Sequence, residues 1–222
     1  LEKIAHRGAA SEVVETDSAT LGLIWSQNQA TAATRLKKSK VAWDGAGDGR
    51  YAQAGGSDLV LKRDPLGVAP LYYGKSFDGV LCFASEVKGL LEVTRDVHEL
   101  PPGHTLDGQR VQAYYKLGKK PLLQDPPEII AHELRRRLDA AVEKYSGEND
   151  VGAWLSGGLD SSALAALAAQ RSQKIHTFTA GLPGASDVEH AQVVADYIHS
   201  DHHVLTVSID DLLAILPEVI YH

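Results

Sequence analysis

Residues 156–162 read Ser-Gly-Gly-Leu-Asp-Ser-Ser, directly after the apolar run Val151-Gly152-Ala153-Trp154-Leu155 and directly before the Ala/Leu-rich stretch 163–169. That order predicts a strand, a tight glycine turn and a helix. Gly157 and Gly158 let the backbone approach a ligand with no Cβ in the way, and Ser161 falls near the helix start, where unpaired N–H groups and the macrodipole attract an anion. Asp160 adds a carboxylate at the same turn. A lone carboxylate repels phosphate, so its presence here points to a bridging Mg²⁺ shared by the acid and the phosphate oxygens. The segment therefore reads as a nucleotide site. The sequence contains no Gly-x-x-x-x-Gly-Lys-Ser/Thr and no Gly-x-Gly-x-x-Gly, so the P-loop kinases and the dinucleotide-binding folds lose their usual signature.

The rest of the second half fits an α/β domain. Ile130, Leu134, Leu138, Ala141, Val142 and Tyr145 recur at helical spacing, which predicts an amphipathic helix over 127–145. Strand 151–155, helix 161–171, strand 175–180, helix 187–199 and strand 203–208 then alternate as a parallel, doubly wound sheet requires. Ligands of such sheets sit at the carboxyl ends of the strands, which adds the end of strand 175–180 as a second binding position. His202 and His203 are adjacent on a strand and point to opposite faces, so one is expected inside and one outside.

The first half is β-rich. Glu12–Glu15, Thr20–Trp25, Leu59–Lys62, Leu71–Tyr73, Val80–Ala84, His104–Leu106 and Val111–Tyr115 are short β-prone runs separated by Asp-Gly and Gly-Gly turns at 44–45, 48–49, 55–56, 78–79 and 107–108. Asp78-Gly79 and Asp107-Gly108 should be hairpin tips. The polar stretch 27–40 lacks apolar periodicity and reads as poorly ordered. Gly118-Lys119-Lys120-Pro121 and Asp125-Pro126-Pro127 mark a linker, so the expected division is 1–118, a linker over 119–126, and 127–222.

Composition narrows the class. A net charge of −7, with Arg135-Arg136-Arg137 as the largest basic cluster, disfavours a nucleic-acid binder; that triplet reads as the solvated face of a helix. No apolar run approaches the ~20 residues of a membrane span. The single cysteine, Cys82, cannot form an intramolecular disulfide, which suits a cytoplasmic protein, and its apolar strand predicts a small buried side chain.

Ser156-Gly157-Gly158-Leu159-Asp160-Ser161 resembles the pyrophosphate loop of ATP pyrophosphatases. Arg63-Asp64-Pro65-Leu66-Gly67-Val68-Ala69-Pro70-Leu71-Tyr72, Phe83-Ala84-Ser85-Glu86-Val87-Lys88-Gly89-Leu90, and Phe178-Thr179-Ala180-Gly181-Leu182-Pro183-Gly184 with Asp187 resemble, together with His6-Arg7-Gly8 and Leu100-Pro101-Pro102-Gly103, the glutamine-hydrolysing asparagine synthetases. The resemblance implies two domains. The first is a glutaminase with the αββα sandwich of N-terminal nucleophile hydrolases; the second is part of a doubly wound ATP pyrophosphatase domain. It implies ATP and Mg²⁺, with Leu155, Ser156, Gly157, Gly158, Asp160, Ser161 and Ala180 at ATP, Leu155 and Ala180 touching adenine, and Asp160 at the metal. It also implies Arg7 as a clamp for the α-carboxylate of glutamine, an ammonia route between domains, a homo-oligomer, and aspartate, glutamine and ATP as substrates, with neither nucleic acid nor membrane as partner.

The sequence departs from the family in several places. His6-Arg7-Gly8 continues with Ala9-Ala10 where the family has Pro-Asp, and the Asn-Gly-Glu stretch is absent. Gly56-Ser57-Asp58 lies too near Arg63 to match the glutamine-binding Gly-Ser-Asp. No cysteine precedes His6, and the later Ser-Gly-Glu-Gly-x-Asp-Glu loop does not occur before His222. With no methionine and a start at Leu1, the expectation is a segment of a longer polypeptide with no catalytic nucleophile of its own. Two rival readings stay open: an amide-forming enzyme of the β-lactam-synthetase kind with a silent glutaminase half, and a non-catalytic nucleotide-binding module.

Overall fold

A computed structural model describes residues 1–25, 36–44, 52–55, 58–108, 110–146 and 150–222. The turns expected at 44–45, 48–49 and 55–56, and most of the stretch 27–40, lie outside the described residues. The chain divides into two compact units, Leu1–Lys120 and Pro121–His222. No helix of the described residues is long and apolar enough to cross a membrane.

The first unit is built of short antiparallel strands. Strands β1 (Ala10–Glu15) and β2 (Thr20–Trp25) pair alone. A five-stranded sheet contains β3 (Val41–Asp44), β4 (Ala52–Gly55), β5 (Val60–Arg63), β9 (His104–Asp107) and β10 (Arg110–Ala113), in the order β10-β9-β5-β4-β3. A third sheet places β6 (Tyr72–Lys75) between β7 (Leu81–Ala84) and β8 (Val97–Glu99). The two expected hairpins are present, β6 to β7 across Asp78-Gly79 and β9 to β10 across Asp107-Gly108. Leu21, Leu23, Ala54, Leu61, Leu71, Leu100 and Leu106 form the core, with Tyr73, Leu81 and Phe83 packed against it, so strands of all three sheets share one apolar interior. Helical turns over 2–7, 36–39 and 87–89 are the helical structure of this unit among the described residues, so the outer helical layers of a sandwich are not part of what it displays. Cys82 is half-buried in β7, where its Sγ donates to the Gly74 carbonyl at 3.3 Å, a shallower position than expected of a small core residue.

A polar knot ties this unit together. Asp64 is fully buried and its carboxylate accepts backbone N–H bonds from Leu66, Val68 and Ala69 at 3.0–3.1 Å. Arg63, also buried, donates to the carbonyls of Ala69, Leu100 and Gly67 at 2.8–3.0 Å and reaches Glu99. The loop after β5 is thus closed on itself and onto the end of β8 by hydrogen bonds to two neighbouring charged side chains.

The second unit is a three-stranded parallel sheet, β11 (Val151–Trp154), β12 (Ile175–Gly181) and β13 (Asp201–Thr206), with helices α1 (Pro127–Ser146), α2 (Leu159–Ala169), α3 (Ser186–Tyr197) and α4 (Ile209–Tyr221). The strand order β11-β12-β13 runs in one direction. The reversal of order that makes a sheet doubly wound does not fall among these three strands, which form one parallel, unidirectional part of such a sheet. One face is covered: Leu155, Ile175, Ala165, Ala168, Ala191 and Ala195 pack with Val142, Val151, Ala153 and Val194. The other face leaves Trp154, Phe178, His203 and Leu205 exposed, as the two-residue alternation of side chains dictates. Arg171 fixes α1 through a bidentate pair with Asp139 at 3.2 and 2.7 Å. Arg136 and Arg137 both pair with Glu133 on the solvent side of α1, the solvated face that the triplet suggested.

Asp64 also sets a pH dependence. Burial pushes its carboxyl up, but the N–H donors of Ala69, Val68, Leu66 and Gly67 outweigh that and hold it below its ordinary value. A depressed carboxyl stabilises above its unfolded value and loses that contribution as pH falls through the lower native one. Asp64→Asn should therefore destabilise the first unit by roughly 3 kcal/mol at neutral pH, a penalty that shrinks below about pH 4. Denaturant melts across pH read this directly, and a penalty constant down to strongly acidic pH would contradict it.

Candidate functional site

The site builds upward from the pairing of β11 with β12. In register, Trp154 lies beside Phe178, and the ladder continues as Leu155 N–H donates to the Phe178 carbonyl at 2.9 Å. The Thr179 hydroxyl donates to the Leu155 carbonyl, which locks the strand end. Leu155 is 1% exposed, so its side chain belongs to the core and its backbone is what meets the site. Ala180 sits one residue beyond Thr179 on the exposed face of β12, so the two sequence-selected strand ends are neighbours.

The chain then turns. Gly157 has φ +74, and a Cβ built on it would lie 2.6 Å from the backbone N of Ala191, 2.6 Å from His190 Cβ and 2.9 Å from the Asp187 carbonyl. The loop is therefore pressed against the first turns of α3, which brings Asp187 of the 178–187 stretch up to the loop. Gly158 is different, with φ −73 and Ser156 Oγ, at 3.4 Å, as the nearest atom to a built Cβ.

Helix α2 starts at Leu159, two residues before the expected position, so Asp160 lies in its first turn and is exposed. Its first intrahelical bond runs from Ser162 N–H to the Gly158 carbonyl at 3.0 Å. The N–H groups of residues 159–161 thus precede the helical ladder and point out of its positive end. The Ser161 hydroxyl folds back to Ser156 Oγ at 2.9 Å, to Ser156 N at 3.2 Å and to the Gly158 carbonyl at 3.2 Å. Both hydroxyls can turn towards an incoming anion by exchanging these mutual bonds. The donor set matches a polyphosphate: a glycine turn, a helix N-terminus, two hydroxyls and one carboxylate for a hard cation.

Arg7 lies in the other unit. Its Nη1 is 3.1 Å from Glu86 Oε1, with His6 Nε2 3.0 Å from the same oxygen and Lys88 Nζ 3.0 Å from Oε2. Two motif stretches distant in sequence, 6–8 and 83–90, thus meet on one carboxylate. Burial raises the Glu86 carboxyl, but bonds from Lys88 and Arg7 and the charge of His6 outweigh it and hold it low. An outside carboxylate reaching Arg7 competes with Glu86 yet meets an excess of positive charge. Gly56-Ser57 lies outside the described residues. The sequence also left unread a cluster of His176, Asp201 and His203 on the open sheet face.

Residues 133–222 match the family model described as Asparagine synthase, and residues 51–116 the model described as Glutamine amidotransferase domain. The probable glutamine-hydrolyzing asparagine synthetase of Schizosaccharomyces pombe is 36% identical over 189 residues, covering 74% of this chain and 34% of its own length. Glutamine-hydrolyzing asparagine synthetase 1 of Saccharomyces cerevisiae is 32% identical over 205 residues, covering 74% of this chain and 36% of its own. The chain spans about a third of the length of the curated relatives it matches. Among solved structures, NMN synthetase from Francisella tularensis has a TM-score of 0.32 at 20% identity, over 45% of this chain and 42% of that one, a likeness too slight to build on.

The two glycines separate in an experiment. Gly157→Ala forces a left-handed backbone and a clash with α3, and should destabilise the second unit by about 2 kcal/mol or more; Gly158→Ala should leave its melting nearly unchanged. Equal effects of the two variants on thermal unfolding would contradict the packing described.

Proposed function

We propose, from the match to both family models and the similarity to glutamine-hydrolysing asparagine synthetases, that the protein amidates aspartate using ATP and ammonia from glutamine. An oxygen of the aspartate β-carboxylate attacks the α-phosphorus of ATP, the bridge to the β-phosphate breaks, and pyrophosphate leaves. Ammonia then attacks the acyl carbon of the β-aspartyl-adenylate, the acyl–oxygen bond breaks, AMP departs and the surplus proton passes to solvent.

One observation carries this reading: the 156–161 loop opens α2 at the carboxyl end of β11, beside the end of β12. Charge develops on the departing pyrophosphate, and pre-aimed N–H groups at a helix N-terminus stabilise it without reorganising. In this reading Ser156, Gly157, Gly158 and Ser161 hold the phosphates, and the backbone at Leu155 and Ala180 reads the adenine edge. Asp160 is the residue that would hold Mg²⁺, since one carboxylate plus phosphate oxygens suits an ion that keeps several waters. Bound there, the ion supplies charge neutralisation for the phosphates.

The first unit takes the glutamine side, with an N-terminal nucleophile hydrolase sandwich as its parent architecture. Arg7 binds the glutamine α-carboxylate, supported by the excess of cations around Glu86. The protein is taken as cytoplasmic, which its single cysteine suits, and as homo-oligomeric by analogy with the family.

Product analysis tests the chemistry. Turnover should yield AMP and pyrophosphate, and Asp160→Asn should lower it roughly a hundredfold with little change in melting, because the residue is exposed. ADP and orthophosphate as main products would remove the adenylating mechanism. Arg7→Ala should raise the glutamine requirement about tenfold or more while sparing synthesis from free ammonia. If both activities fall together with stability, Arg7 merely braces Glu86.

A further inference from the structure

We propose that His176, Asp201 and His203 form a site for a divalent transition-metal ion of the zinc class, separate from the nucleotide loop. Strand register brings them together: His176 is the cross-strand partner of Asp201, and His203 lies two residues further along the same face of β13. Period-two alternation puts all three side chains on the open side of the sheet. They sit at the amino ends of β12 and β13, whereas the loop follows the carboxyl end of β11.

The geometry is that of a ligand set. His176 Nδ1 is 3.5 Å from His203 Nε2 and 3.3 Å from Asp201 Oδ2, and His203 Nε2 is 3.6 Å from Asp201 Oδ1. A tetrahedral ion with bonds of about 2.0–2.1 Å separates its ligand atoms by roughly 3.3–3.4 Å. The two imidazole nitrogens stand at about that separation and each has one oxygen of the Asp201 carboxylate at the same range, so a small rotation of the carboxylate completes one face of such a tetrahedron, with the fourth position towards solvent. Two imidazoles and one carboxylate select zinc, nickel, copper or cobalt over magnesium and calcium, which prefer oxygen. Stacking also holds the rings, so their orientation does not depend on the contacts of the metal-facing nitrogens alone. Phe178 lies on His203 with centroids 4.9 Å apart at 14°, and the two histidine rings are within 17° of parallel. His202 takes no part; it faces the covered side, where its Nδ1 bonds the Thr177 hydroxyl at 2.8 Å.

Lys174 opposes the ion. Its Nζ lies 2.8 Å from Asp201 Oδ2, which leaves Oδ1 for a metal but sets a like charge close by. This opposition supplies a signature that a hydrogen-bonded surface cluster lacks, because removing the lysine should tighten metal binding.

The test is calorimetric titration of the chelator-treated protein with Zn²⁺, alongside Co²⁺ monitored by its ligand-field absorption. One equivalent should bind, Co²⁺ should show the intense bands of four-coordination, and millimolar Mg²⁺ should not compete. His176→Ala and His203→Gln should each weaken binding about tenfold or more, and Lys174→Ala should strengthen it severalfold, with melting temperatures of all three close to the parent's. Absence of saturable binding, or binding unaltered in the His176→Ala/His203→Gln double variant, would overturn the assignment and place any bound metal on other histidines.

Discussion

Gly157 is where the second unit is decided. Its left-handed backbone puts the turn after β11 in contact with the main chain of α3, and no side chain can be accommodated between them. Because the loop is backed by helix backbone on one side and continues into α2 on the other, its N–H groups are aimed before any ligand arrives. Preorganisation of this kind is what makes an anion site effective for catalysis, since no reorientation of dipoles is needed as charge develops. The pairing of β11 with β12 completes the constraint by setting the end of β11 at Leu155 beside Thr179, one residue before Ala180.

The first unit depends on a different device. Asp64 and Arg63 are fully or nearly buried, and nearly every bond they make goes to backbone. Charged groups are tolerated inside only when hydrogen-bonded throughout, and here they give irregular loop backbone the partners that strands would otherwise supply. Glu86 has a similar character, with one half-hidden carboxylate facing Arg7, Lys88 and His6.

Legibility in the sequence followed the range of the interactions. The loop, the hairpin tips and the alternation of the second half rest on local chemistry, and turn residues and apolar periodicity announce them. Strands β3 and β4 were not legible because Val41–Asp44 and Ala52–Gly55 are only four residues each, too short for alternation to stand out, and exist through pairing in the sheet. Gly157 and Gly158 look equivalent as letters; only the approach of α3 distinguishes them. The meeting of Arg7 with Glu86 spans 79 residues, and that of His176 with Asp201 depends on parallel register, which no local pattern encodes. His203 was legible as exposed, yet its partners were not.

The central claim is that the loop serves an adenylating reaction, and exchange of labelled pyrophosphate into ATP tests it most directly. Exchange reports reversible formation of the acyl-adenylate before ammonia is needed. The account predicts exchange that requires aspartate and Mg²⁺ but not glutamine. Consumption of ATP in the presence of aspartate with no pyrophosphate exchange, and with label from the γ-phosphate appearing as orthophosphate, would contradict it.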